Sequence, residues 1–187
     1  MQLQFNRHTN LQGLHAPFSA SKSSWLRYDD EKAIDVYLNM QAKARGTRLH
    51  EWAQETIKLK LKQPRSKKTI YAYVNDAIGY NMDTEVVLFY SENFFGTADS
   101  ILFKDGLLRI HDLKTGKNPA DMEQLEVYAA LFCLEYRVDP RKIEMELRIY
   151  QNDTVFYHNP EPEKIQEHMD IIVHLDKVIT KIQKEEV

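Results

Sequence analysis

The stretch GTADSILFKDGLLRIHDLKTG, residues 96–116, places Asp99, Asp112 and Lys114 around a short hairpin. Three charges there contribute nothing to an apolar core, and burying charge is costly unless it is paired or bound to a metal. Lys104-Asp105-Gly106 predicts the turn between two β-forming runs, FFGTADSILF and LLRIHDLKT. Alternation along the second run puts Leu108, Ile110, Asp112 and Lys114 on one face and Leu107, Arg109, His111 and Leu113 on the other. Asp112 and Lys114 are therefore neighbours, on the strand paired with the one that carries Asp99, and His111 points away from them.

Working outward, EVVLFY from Glu85 predicts a strand that turns at Ser91-Glu92-Asn93, which makes an antiparallel three-strand meander. Downstream, Asn118 as N-cap and Pro119 at the first helical position predict a helix over roughly 119–136, with Gln124 and Tyr128 one turn apart. Two strands follow at about 143–150 and 154–158 around Gln151-Asn152-Asp153. A final helix over about 161–185 carries Ile165, Met169, Ile172, Leu175 and Ile179 as a packing stripe or dimer surface. Upstream, helical periodicity from Trp25 through Ala44 is expected to break at Gly46. A second helix at about 47–62 shows Leu49, Ala53, Ile57 and Leu61 at four-residue intervals before Pro64. His50 stands beside that stripe, aligned with Gln54, where it can look into a cleft. A short helix at 68–79 is expected to end at Gly79, and residues 1–20 read as an arm. The sum is an α/β (or α+β) architecture with a central mixed sheet flanked by helices, in one domain over 1–187.

With 187 residues, 43% apolar and 28% charged, the chain can bury one real core. No charged leader precedes an apolar run and no segment is apolar enough to cross a bilayer, so a soluble, intracellular protein is expected. The single cysteine, Cys133, excludes an internal disulfide and any site built from several cysteines. A net charge of −3 argues against whole-surface attraction to nucleic acid. A local patch is another matter: IKLKLKQPRSKK, residues 57–68, holds Lys58, Lys60, Lys62, Arg65, Lys67 and Lys68 without an acid, and Tyr71 and Tyr73 follow. Cations beside aromatics suit a phosphate track with base stacking; the plainer alternative is a solvated helix end.

Two carboxylates converging with a histidine form a hard site for Mg²⁺ or Mn²⁺, the imidazole favouring Mn²⁺. An ion there relieves the repulsion of the carboxylates and serves phosphodiester hydrolysis by polarising phosphate and acidifying water. Lys114 suits stabilisation of developing negative charge.

Asp99 followed by Asp112-Leu113-Lys114 on the next strand resembles the catalytic signature of the PD-(D/E)xK nuclease superfamily. The ordered set Gly46-Thr47 with His50-Glu51, Gly96-Thr97-Ala98-Asp99, Asp112-Leu113-Lys114-Thr115-Gly116, then Gln124 and Tyr128, is similar to its RecB-type branch. The opening His15-Ala16-Pro17-Phe18-Ser19-Ala20-Ser21 with Trp25 resembles phage-encoded, single-domain members. The resemblance implies a restriction-endonuclease-like core and a metal-dependent deoxyribonuclease, exonuclease rather than endonuclease, in the cytoplasm of a bacterial host. It implies one or two ions held by His50, Asp99, Asp112 and the Leu113 carbonyl, Lys114 serving the attacking water, and Gln124 and Tyr128 orienting Lys114 or a DNA phosphate. Glu51 or Glu85 could assist from outside these ligands or bind a second ion. Ala98 replaces the proline that usually precedes the first aspartate, as the RecB branch tolerates. The iron-sulfur cluster of some relatives is excluded by the cysteine count, and no Walker A pattern occurs, so any helicase, single-strand-binding or recombination factor would be a separate partner. The competing readings are an inactive nuclease fold that binds DNA or acts as a scaffold, a structural protein of a replication or packaging assembly, and a ribonuclease.

Overall fold

The computed structural model describes residues 16–116 and 119–185. The arm expected over 1–20 falls outside them up to residue 15, as does the cap expected at Asn118. The chain divides into two compact units at Gly46–Thr47. In the first, a short 3-10 helix, Ser23–Arg27, precedes the start of α1 (Asp30–Lys58). There the Trp25 indole N–H donates to the Ser19 carbonyl at 2.9 Å and packs edge-on against Phe18.

Helix α1 is continuous, so the break expected at Gly46 does not occur. A glycine costs a helix only about 1 kcal/mol, and it ends one when it turns to positive φ, which among the described glycines only Gly106 does. The stop comes instead at Lys60, at φ 54°, where Lys60 N–H donates to Ile57 C=O and Leu61 N–H to Thr56 C=O. This is a Schellman closure. Helix α2 (Thr69–Tyr80) closes the same way: Asn81 sits at φ 59° and Met82 N–H donates to Ala77 C=O, so Gly79 lies inside the helix.

In the second unit, strands β1 (Asp83–Ser91), β2 (Phe94–Lys104) and β3 (Leu107–Leu113) form the expected antiparallel meander. The β2–β3 turn has Asp105 at φ 51° and Gly106 at φ 80°, the left-handed pair of a two-residue hairpin. Helix α3 (Glu123–Tyr136) then returns the chain so that β4 (Glu144–Gln151) lies parallel to β3, and β5 (Thr154–His158) pairs antiparallel with β4. The order is β1-β2-β3-β4-β5, a mixed sheet. Helix α4 (Pro162–Glu185) ends the described chain. Helix α3 begins later than expected. Gln151 accepts from Ala120 N–H at 3.1 Å and donates to Gly116 C=O at 2.8 Å, and Pro119 is not helical.

Each sheet face has a core. Leu88, Ala98, Leu108, Ile110 and Leu147 pack with Leu125, Ala129 and Phe132 of α3 and Ile165 and Ile172 of α4. On the other face Leu113 and Tyr150 pack with Ala53 and Ile57 of α1 and Tyr73, Val74 and Ala77 of α2. Among the described residues no helix is long and apolar enough to cross a membrane.

Candidate metal centre

Helix α1 and strands β1, β2 and β3 bring the chemistry-bearing residues together. His50, on the C-terminal half of α1, places Nδ1 3.4 Å from Asp99 Oδ2. The same Asp99 oxygen accepts the Leu113 backbone N–H at 2.8 Å, which fixes the carboxylate across the β2–β3 pair. Glu85 completes the cluster: His50, Glu85 and Asp99 each offer a ligand atom within 4.8 Å of the others.

Local backbone explains the convergence. Thr84 pairs with Ser100 and Val86 with Ala98, so Glu85 stands opposite Asp99. Strand β2 changes face at this point. Ala98 belongs to the core against α3, whereas Ser100 reaches Tyr73 and Leu102 packs on the α2 side, with Ile101 back in the α3 core. Strand alternation does not allow Ala98 and Ser100 to face opposite ways without a local kink. Glu85 carries the counterpart on β1, at φ 53° in the middle of a strand. A left-handed, non-glycine residue is strained by roughly 1–2 kcal/mol, and such strain concentrates at functional positions.

Beside the cluster, Asp112 is only 3% exposed. Its Oδ1 accepts from Lys114 Nζ at 3.2 Å, and Oδ2 lies 3.0 Å from the same nitrogen. Lys114 Nζ also donates to Gln124 Oε1 at 2.7 Å, and Gln124 Nε2 donates to the Tyr128 hydroxyl at 2.9 Å. The spacing of Gln124 and Tyr128 on α3 thus becomes a chain of hydrogen bonds ending at the lysine. Tyr128 lies over Gly96: a Cβ built there would stand 2.8 Å from the ring.

The electrostatics are those of carboxylates crowded together. Burial, then the Asp99 charge, pushes Asp112 up to about 6, against the opposing pull of Lys114 and His50. Burial and Asp99 likewise raise Glu85. The hydrogen bond to Asp99 raises His50, against the lowering effect of its own burial. One imidazole nitrogen with two carboxylates is a donor set that Mn²⁺ or Mg²⁺ accepts, so the residues fit a divalent ion. Asp112 is outside the trio, engaged by Lys114. Glu51 is exposed on α1, and Leu113 bonds the trio through its N–H.

His111 lies on the opposite face, fully buried between Tyr80 and Tyr150, its Nδ1 3.2 Å from the Tyr150 hydroxyl. Burial and the charges of Arg148 and Arg109 push it down to about 3, so it is neutral. The basic segment is exposed at Lys58, Lys60, Lys62, Arg65, Lys67 and Lys68. Lys68 Nζ stands 5.4 Å from the Tyr71 ring centroid, and Tyr71 pairs with Trp52 at 6.1 Å. Tyr73 corrects the expectation of a stacking surface. It is 3% exposed and packs edge-on against Tyr150, because it faces the sheet from α2.

Two residues were underweighted by the sequence. Glu85 was legible as the lone acid in a β-forming run, and Trp52 as an aromatic two positions from His50. No protein-family model matches this chain, and comparison with curated proteins and with solved structures returns no match.

Proposed function

We propose that this chain is a divalent-metal-dependent deoxyribonuclease of the PD-(D/E)xK superfamily, RecB-type branch, acting on DNA ends in phage or mobile-element DNA processing. The observation that carries the reading is the adjacency of the His50–Glu85–Asp99 donors to the Asp112–Lys114–Gln124–Tyr128 chain. Neither half alone specifies phosphodiester hydrolysis. A donor trio binds a cation, and an ion pair stabilises a strand end; together they supply what a dianionic transition state requires. The mixed sheet flanked by helices, with the acids on a central hairpin, supports the restriction-endonuclease-like reading of the fold.

Hydrolysis forms a bond from a water oxygen to phosphorus and breaks the bond to one neighbouring nucleotide, whose oxygen leaves with a proton. His50, Glu85 and Asp99 would hold a Mg²⁺ or Mn²⁺ ion, which would supply positive charge to the phosphate and make water more acidic. Lys114, fixed by Gln124 and Asp112, directs Nζ at charge developing on the phosphate. Leu113 N–H holds Asp99 in place. The exposed cations of residues 58–68 hold the backbone of the nucleic acid.

The test is a cleavage time course on end-labelled linear DNA and on closed circular DNA, with Mg²⁺, Mn²⁺ or EDTA. Release of nucleotides from linear DNA alone, abolished by EDTA and reduced at least about 100-fold in Lys114→Ala, is the expected result. Nicking of the circle assigns an endonuclease. No metal-dependent product from folded protein that still binds DNA identifies an inactive nuclease fold.

A further inference from the structure

The helix that carries His50 also carries one member of an aromatic pair to which hydrolysis assigns no task. Trp52 projects from α1 and meets Tyr71 of α2, with ring centroids 6.1 Å apart and planes at 44°. Tyr71 is held in that position from two sides. Two residues on, Tyr73 is locked into the sheet core, and Lys68 places its ammonium 5.4 Å from the Tyr71 ring. Trp52 nevertheless remains 37% exposed, so the largest apolar side chain on this part of α1 is only partly used in packing. The acid-free run from Lys58 to Lys68, whose six cations are all exposed, reaches the pair at Lys68.

We infer that Trp52 and Tyr71 form a stacking platform for an unpaired nucleobase, so that the strand delivered to His50, Glu85 and Asp99 is single, whether a free strand or the opened end of a duplex. The inference rests on the nuclease reading for what happens to that strand, and on its own geometry for how the strand is held. Bases inside a duplex are stacked on one another and offer no face to a protein ring, whereas an unpaired base offers a whole π-face and accepts any aromatic partner regardless of sequence. Phosphate contacts alone would serve a duplex, and the cations beside the platform provide them. A ring pair next to those cations adds a contact that only unpaired bases can use. Trp52 follows His50 by two residues, over half a turn round α1, so a strand stacked on the platform passes round the helix to reach the metal donors.

The experiment measures binding in EDTA, without any cleavage, using the full chain, a fluorescently labelled short oligothymidylate and a duplex of the same length. Loss of one stacked base weakens binding by about 5- to 150-fold, and that loss is expected for Trp52→Ala and Tyr71→Ala on oligothymidylate, with duplex affinity unchanged. Trp52→Phe should retain most of the affinity, which separates stacking from damage to the fold; thermal melts of each variant check the same point. In Trp25→Phe protein, where Trp52 is the remaining tryptophan, oligothymidylate should quench emission and the duplex should not. Equal losses on both substrates, or no loss on either, overturn the platform. Oligouridylate binding as tightly through Trp52 supports the platform and extends it to RNA. Metal-dependent cleavage with Trp52-independent binding overturns the platform alone. Trp52-dependent binding without cleavage under any divalent ion overturns the nuclease reading and leaves the platform standing.

Discussion

Glu85 and Gly96 carry opposite kinds of constraint, one a strained acid and the other a missing side chain. Replacing Glu85 by glycine relieves a left-handed backbone and removes one donor of the trio. Metal-free Glu85→Gly should be more stable than the parent by about 1 kcal/mol in urea unfolding. Mn²⁺ is expected to raise the melting temperature of the parent by binding only the folded state, and that rise should shrink or vanish in Glu85→Gly. Gly96→Ala should act through Tyr128, whose ring occupies the space a Cβ needs. Displacing the ring breaks the bond that steadies Gln124 and so loosens Lys114. The expected result is a kcat lowered about 10- to 100-fold, since small misplacements at a reacting centre cost that much, with Mn²⁺ affinity by calorimetry unchanged. The sequence made Asp99, Asp112 and Lys114 legible because a two-residue turn fixes the register between β2 and β3. It did not do the same for Glu85. Counting back from the Glu92-Asn93 turn sets Asp99 opposite Val86, and only an extra residue at Tyr90, where the ladder shifts, puts Glu85 there instead.

At the scale of elements, helix α3 positions Gln124 and Tyr128, and a buried carboxylate on its other side ties it down. Glu126 lies 2.8 Å from His158 Nε2 at the end of β5 and 3.0 Å from His168 Nε2 on α4. Burial pushes this carboxyl up, but the hydrogen bonds from His168 and His158 outweigh burial and hold it below the ordinary range. A depressed folded-state value means that the unfolded chain binds the proton more tightly. The stabilisation is therefore complete above the unfolded value of a glutamate and lost as pH falls through the lower folded one. Glu126→Gln should flatten the acid limb of a stability–pH curve and cost about 1–3 kcal/mol near neutrality, as read by denaturant titration. This tie was invisible in the sequence because its members are up to 42 residues apart. Helix α3 ends at Tyr136 as expected, but two other helix closures were missed for a local reason. Lys60 and Asn81 take the left-handed closing position, where the expectation set Pro64 as the limit of one helix and Gly79 as the end of the other. The readable signal was the apolar residue after each, Leu61 and Met82, as a Schellman closure favours.

Over the whole molecule the charge is −3, yet the six cations of residues 58–68 form one run without an acid. Binding to single-stranded DNA should therefore weaken with salt even though the protein is acidic. If that run supplies the phosphate contacts, log Kobs against log[salt] should fall with a slope no steeper than about −4, at ~0.7 for each cation engaged. Neutralising Lys67 and Lys68 together should reduce the slope by about 1.4, and titrations at several salt concentrations measure both. The mixed sheet with helices on both faces was legible from alternation and turn chemistry. The continuity of α1 through Gly46 was not, because glycine weakens a helix without dictating where it stops.

The extra residue at Tyr90 has a consequence for descent. Deleting Tyr90 itself would leave Phe89 opposite Phe95 and Glu85 opposite Asp99, whereas deleting one residue from Val86 to Phe89 would carry Glu85 to the place opposite Ala98. An intact donor cluster and a dismantled one are thus a single deletion apart on nearly the same scaffold, and where along β1 the residue is lost decides which results. An aligned relative one residue shorter between Glu85 and Tyr90 is expected to keep this shape and lack the three-donor cluster.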